Sequence, residues 1–196
     1  MKKAIAILAT MVVLVGAVFA ATNDQLIINA TVSAVAPIIS IYGGKDSAAD
    51  SDTTVIGKTS NPNVIEYTEQ EVDLSSEDVV LYIRLYQSNK AKYVGTVNLK
   101  VKATPLTHKT LSVGTVSTGV PSVDHITKTT PNGITYSVNP SSSTINGETV
   151  VSYAPTYDGR AINATNLGTF DLTWPHNAEL TAGVYEATIT LEYTTT

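Results

Sequence analysis

The stretch Thr181–Thr196, TAGVYEATITLEYTTT, alternates between apolar and polar residues with almost no exception. In an extended chain, successive side chains point to opposite faces, so residues two apart share a face. Alternation sustained from Tyr185 to Tyr193 therefore predicts a β-strand with one buried face. The residues on that face are Tyr185, Ala187, Ile189, Leu191 and Tyr193.

The same alternation of apolar and polar residues recurs along most of the chain. Alternating apolar residues run through Leu26–Ala34, Val79–Leu85, Val97–Ala103 and Phe170–Trp174, and Asn146-Gly147 between two short runs is a strong hairpin signal. We count about eight or nine short strands and no convincing helical period. The pattern predicts an all-β fold, an immunoglobulin-like β-sandwich.

The first residues are typical of a secretory signal peptide. Lys2 and Lys3 precede the apolar run AIAILATMVVLVGAVF, and Val18-Phe19-Ala20 offers small residues at the cleavage positions. The apolar run is short for a membrane anchor, which is the alternative interpretation. We therefore expect residues 1–20 to be removed, leaving an exported chain without a membrane span. Residues 21–36 would form an N-terminal extension, and 37–196 one domain.

Net charge and cysteine content limit the kinds of partner and of stabilisation that we expect. The formal net charge is −5, and an acidic chain does not favour binding to a phosphate backbone, so nucleic acid is not expected as a partner. The chain has no cysteine. An exported domain without disulfides must be stabilised by packing or by assembly with neighbours.

No constellation of catalytic residues stands out. His108, His125 and His176 lie far apart, and none has a second ligand at metal-binding spacing. Nucleophile elbows, glycine-rich phosphate loops and zinc-helix motifs are missing from the sequence. The expectation is a protein that is not an enzyme, with no metal site and no cofactor.

The acidic stretch of Asp46, Asp50 and Asp52 allows two interpretations. Carboxylate oxygens are calcium ligands, but the spacing fits no EF-hand loop. A solvated loop is the ordinary alternative.

Aromatic residues also allow two interpretations. Tyr153 and Tyr157, with Trp174, could stack on a sugar ring. Ordinary core and cross-strand packing is the alternative.

Both ends of the chain resemble subunits of chaperone–usher pili and the related spore-coat U type domains. The words A-G-V-Y and T-I-T-L-E-Y, within Ala182–Tyr193, are similar to the ending of those families. The opening LIINATVSAVAPIISI is similar to that of alpha-type fimbrial major subunits, which lack a disulfide. The resemblance covers only these two terminal segments.

The resemblance implies a sandwich that lacks one strand and is completed by donor-strand exchange between copies. The N-terminal extension of one copy would enter a groove beside the exposed edge of the last strand of the next, giving a head-to-tail polymer at the cell surface in adhesion or biofilm formation. A periplasmic chaperone and an outer-membrane usher would be the assembly partners. By position, the donor residues would be Leu26, Ile28, Ala30, Val32 and Ala34. The acceptor groove would be formed by Ala187, Ile189, Leu191 and Tyr193.

A second hypothesis keeps the fold but changes the function. In a self-complete sandwich, the N-terminal strand would pair within its own chain, and the protein would bind a ligand or glycan at the cell surface. The fold alone does not distinguish these two hypotheses.

Overall fold

The computed structural model describes residues 30–44, 55–57, 63–66 and 73–196, with only the backbone described for 55–57 and 63–66. The chain divides into two compact units, Met1–Ser33 and Ala34–Thr196. Of the first unit, residues 30–33 are described, and they are exposed and without regular secondary structure. All of the described strands belong to the second unit.

The described residues form strands and turns without a helix. Several strands are only two to four residues long, which is too short to show an alternating pattern, so the sequence predicted fewer strands than the structure contains. The strands are β1 (Ile39–Gly44), β2 (Val55–Gly57), β3 (Asn63–Glu66), β4 (Val79–Gln87), β5 (Ala91–Ala103), β6 (Thr107–His108), β7 (Ser122–Lys128), β8 (Ile134–Tyr136), β9 (Ser141–Ile145), β10 (Glu148–Tyr153), β11 (Pro155–Ile162), β12 (Thr165–Trp174), β13 (Tyr185–Glu186) and β14 (Thr188–Thr195).

The strands pair in antiparallel sheets. The first sheet has the order β2-β1-β4-β12-β7, and the second has the order β3-β14-β5-β10-β9, with β11 joining β5 to β8. One sheet curls into half a barrel. A small two-stranded sheet of β13 and β6 stands apart from both.

A single hydrophobic core contains residues of both sheets. The predicted alternation is confirmed in parts of four strands, where every second residue is buried: Leu81–Gln87, Val97–Ala103, Phe170–Trp174 and Ile189–Leu191. The run from Tyr185 to Tyr193 is not one strand, because Tyr185 belongs to β13, which pairs with β6 in a separate sheet. The residues on these buried faces include Leu81, Ile83, Leu85, Val97, Leu99, Val101, Phe170, Leu172, Trp174, Ile189 and Leu191. The all-β prediction is therefore confirmed, and the arrangement is consistent with a β-sandwich. The immunoglobulin-like topology stays a prediction.

The Asn146-Gly147 hairpin is also confirmed. β9 and β10 pair with Ile145 opposite Glu148, so these two residues form the whole loop. Both have positive φ, at 53° and 78°. This is the backbone of a type I′ turn, which matches the right-handed twist of the flanking strands.

The last strand does not have the exposed edge that the sequence led us to expect. β14 lies between β5 and β3, and its segment Ile189–Leu191 is paired on both sides. Here the prediction was wrong, because β3 comes from a short segment more than a hundred residues away along the chain. Alternation within one strand carries no information about such a distant partner.

Candidate functional site

An apolar cavity of about 750 Å³ opens beside the beginning of β14. Four parts of the chain that are distant in sequence meet around it: the start of β4 with the turn before it, the segment after β5, the end of β12 and the turn leading into β14. Its deepest residues are Leu81, Trp174 and Ile189, each at most 3% exposed. The cavity therefore reaches the hydrophobic core directly.

Thr104 holds two walls of the cavity together. Its carbonyl oxygen accepts a hydrogen bond of 2.8 Å from Nε1 of Trp174. Its hydroxyl oxygen accepts another, of 2.9 Å, from the backbone N–H of Thr188. Because a buried indole needs a partner for its N–H group, the first bond fixes the orientation of the ring against the cavity.

The A-G-V-Y turn forms a third wall, held by His108. The ring Nδ1 of His108 accepts hydrogen bonds from the backbone N–H groups of Thr110 and Leu111, at 3.2 and 3.0 Å. Nδ1 is therefore unprotonated, and Nε2 carries the proton that it donates to the carbonyl oxygen of Ala182 at 3.2 Å. A Cβ atom at Gly183 would lie 1.9 Å from this Nε2. Only glycine allows the turn to pass so close to the imidazole.

The charged residues that line the cavity are exposed and form its rim. Lys109 and Glu186 form an ion pair there, with about half of each side chain exposed. Asp73 also lies at the rim, and the hydroxyl and N–H groups of Ser75 lower the pKa of its carboxyl below the ordinary value. A charged rim around an apolar interior favours an occupant that inserts apolar side chains.

Asp78 and His176 form a hydrogen-bonded pair next to the cavity, called here the Asp78–His176 clasp. The carboxylate of Asp78 accepts hydrogen bonds from the backbone N–H of His176, at 2.8 Å, and from its Nδ1, at 2.6 Å. The N–H of Asn177 donates to the carbonyl oxygen of Leu74. These bonds join the segment after β12 to the turn before β4, whose residue Leu74 lines the cavity.

Of the four residues predicted for the acceptor groove, three belong to β14 and Ala187 directly precedes it, but only two of the four line the cavity. Ala187 and Ile189 do so. Leu191 is fully buried in the core, and Tyr193 packs partly buried against it. The other lining residues were missed as a group because their proximity depends on the packing of both sheets. The A-G-V-Y motif was the local sequence feature that indicated this site.

Three of the five predicted donor residues lie among the described residues. Ala30, Val32 and Ala34 are exposed, and Val32 exposes 69% of its surface. Leu26 and Ile28 lie outside the described residues. The predicted roles of all five residues stay predictions.

The root of the extension is bound by the turn between β4 and β5 and by the beginning of β5. Val35 and Lys92 exchange two backbone hydrogen bonds of 2.8 and 2.9 Å. The side chain of Asn89 donates to the carbonyl oxygen of Ala36 and accepts from the N–H of Ile38. The extension is therefore fixed where it leaves the domain.

The predicted sugar-stacking residues face the core. Tyr153 and Tyr157 are 1% exposed and Trp174 is 3% exposed, so the interpretation as a glycan platform was wrong and that of core packing was correct. Burial also raises the pKa of both tyrosines. The half-buried tyrosines on the outer face of the first sheet are others: the rings of Tyr42 and Tyr86 meet edge to face, with the guanidinium of Arg84 close to both.

The three histidines lie in separate places. His108 supports the A-G-V-Y turn, His125 pairs with Asp171 on the first sheet, and His176 pairs with Asp78. Within the described part of the chain, no group of three or more His, Asp or Glu side chains is placed to hold a metal ion. The acidic stretch with Asp46, Asp50 and Asp52 lies outside the described residues.

Among the described residues, no helix is long and apolar enough to cross a membrane. No family model, no curated protein and no solved structure matches this chain.

Proposed function

We propose that this chain is an exported structural subunit of a surface filament, in which the N-terminal extension of one copy completes the β-sandwich of the next. The observation that carries the proposal is the apolar cavity at Ala187 and Ile189, which opens into the core beside the last strand. On this proposal the domain is an immunoglobulin-like sandwich that lacks a strand.

The extension has the chemistry that such a cavity requires. Its apolar residues recur at every second position from Leu26 to Ala34, so an extended segment would present one apolar face. Val32 is largely exposed in the structure. Moving such side chains out of water stabilises a complex by roughly 25 cal/mol for each Å² of apolar surface buried.

The root of the extension and the cavity lie at opposite ends of β4. The root is bound at Ser88 and Asn89, just after β4, whereas Val79 and Leu81 at its beginning line the cavity. A strand of this length spans about 30 Å. A root bound at one end of β4 and a cavity that opens at the other end favour insertion into a second copy. Such head-to-tail contacts do not close and therefore build filaments.

The resemblance of the two chain ends to chaperone–usher pilus subunits extends the proposal to assembly. The signal peptide would deliver the chain to the periplasm, where a chaperone would cover the cavity and an usher would exchange it for the next subunit. Adhesion or biofilm formation would be the role of the finished filament. Copies of the chain itself are the principal partner.

The test replaces an apolar donor residue by a charged one. Ile28→Asp lies in the middle of the donor face, and Asn29→Asp, on the opposite face, is the matched control. Burying an unpaired carboxylate costs several kcal/mol, so Ile28→Asp should prevent insertion into a neighbour while leaving the subunit folded. Circular dichroism measures folding, and size-exclusion chromatography measures polymer length.

The self-complete sandwich predicts the opposite result. If residues 24–35 pair within their own domain, Ile28→Asp should unfold the monomer itself while Asn29→Asp remains folded. That result would contradict the filament proposal and favour the ligand-binding or glycan-binding alternative.

A further inference from the structure

We propose that β3 occupies the position that the donor strand of a second copy takes during assembly. The edge of β14 that pairs with β3 is then the interface at which the second copy docks. This inference rests on the proposed function. It adds that the acceptor edge is closed by the subunit's own chain until a donor strand displaces β3.

The two neighbours of β14 hold it unequally. β5 pairs with β14 over Ile189–Thr195, whereas β3 pairs with it only over Thr188–Leu191. β3 is four residues long and ends the sheet. Because each residue in a ladder adds hydrogen bonds, and isolated short strands are marginal, β3 is the neighbour that is easier to displace.

β3 lies along the part of β14 that borders the cavity. Ile65 is directly opposite Ile189 in the register, and Ile189 lines the cavity. The next core residue of β14, Leu191, pairs with Asn63. Removing β3 would therefore join the cavity to the strand edge and form one continuous groove along Ile189 and Leu191.

The occupant that fits this edge is the segment Leu26–Ala34 of a second copy. Adding an extended segment to a sheet edge gains main-chain hydrogen bonds along its length and places alternate side chains on the core face. The alternating segment is longer than β3. It can therefore replace the pairing that β3 provides and also fill the cavity with apolar side chains.

A reversible covalent lock tests whether β3 must move. Val64 and Thr190 are opposite each other in the register, and opposite residues in antiparallel strands are close enough for a disulfide. The chain has no cysteine of its own. Val64→Cys with Thr190→Cys therefore gives one disulfide that ties β3 to β14 when oxidised and frees it when reduced.

The matched control places a disulfide elsewhere in the same sheet. Ser141 and Ser152 are opposite each other in β9 and β10, far from β3 in the strand order. Both cysteine pairs are introduced into the chain of residues 21–196 that also carries Ile28→Asp. This substitution prevents the protein's own extension from competing with the added peptide. The probe is a fluorescent peptide with the sequence of residues 24–35, and binding is followed by fluorescence anisotropy.

The expected result is that oxidation of the 64–190 pair weakens peptide binding at least about tenfold, a change of about 1.4 kcal/mol, and that reduction restores it. Oxidation of the 141–152 pair should leave binding unchanged. Equal binding by the oxidised and reduced 64–190 variants would overturn the inference while leaving the filament proposal in place. No binding to the reduced variants or to their cysteine-free parent would overturn both.

Discussion

The hydroxyl group of Tyr157 donates a hydrogen bond of 2.9 Å to Oε1 of Gln87 inside the core. Tyr157 belongs to β11 and Gln87 to β4, so the bond connects strands of the two different sheets. The amide Nε2 of Gln87 donates to the carbonyl oxygens of Asn89 and Ile162. The same buried side chain thus ties the sheets together and supports the turn that anchors the extension.

Removing this hydroxyl should destabilise the fold. Tyr157→Phe leaves Oε1 of the fully buried Gln87 without its donor, and an unsatisfied buried acceptor costs roughly 1–3 kcal/mol. Urea unfolding followed by circular dichroism measures the loss. Tyr86→Phe is the control, because Tyr86 lies next to Gln87 in β4 but on the outer face of that strand. It should change stability by less than about 0.5 kcal/mol. Equal stability of the two variants would refute the role given to this bond.

Gly183 should be intolerant of any side chain. A Cβ atom there would clash with the His108 ring, and its φ of 153° is unfavourable for other residues. We expect Gly183→Ala to lower the free energy of unfolding by roughly 1–3 kcal/mol. Gly119→Ala is the matched control, because its nearest neighbour would be 3.7 Å away. If thermal and urea unfolding show the same loss for both variants, contact with His108 is not the cause.

The Asp78–His176 clasp should make stability depend on pH in the acid range. The backbone N–H and then the ring of His176 lower the pKa of Asp78 below its ordinary value of 3.8. A carboxyl group whose pKa is lower in the folded state stabilises the fold above the unfolded-state pKa, and this contribution disappears as the pH falls through the folded-state pKa. The stability difference between the parent and Asp78→Asn should therefore be larger at about pH 7 than at about pH 2.

The histidine partner offers an internal control for this pH dependence. His176→Ala removes the ring but keeps the backbone N–H, which is the larger cause of the lowered pKa. We expect it to retain part of the acid dependence that Asp78→Asn loses. Urea midpoints at several pH values measure both variants, and a constant difference between the parent and Asp78→Asn would contradict the prediction.

Filling the cavity should block docking without unfolding the subunit. Ala187 lines the cavity and is only partly buried, so the added ring of Ala187→Phe can occupy the open space. We expect binding of the residue 24–35 peptide to weaken at least about tenfold. Ala164→Phe, at an exposed turn outside the cavity, is the control. Unimpaired binding by a folded Ala187→Phe variant would argue against the cavity as the docking site.

Local patterns predicted the individual strands well. The alternation of β14 and β5 identified their buried faces, and Asn146-Gly147 identified a two-residue turn whose positive φ angles the structure confirms. These features depend on the period of the extended chain and on the conformations that Asn and Gly allow. Both can be read within a few neighbouring residues.

The sequence by itself determined the all-β class, the buried faces of the long strands and the two-residue hairpin at Asn146-Gly147. Each of these follows from the two-residue period of a strand or from the backbone conformations that Asn and Gly prefer. Only the tertiary structure decided that β3 flanks β14, that Tyr153 and Tyr157 face the core, and that His108 packs on Gly183. The cavity likewise arises where segments from residue 73 to residue 189 converge. Such contacts depend on how whole sheets pack, because they join side chains that are distant in sequence and no local pattern specifies them.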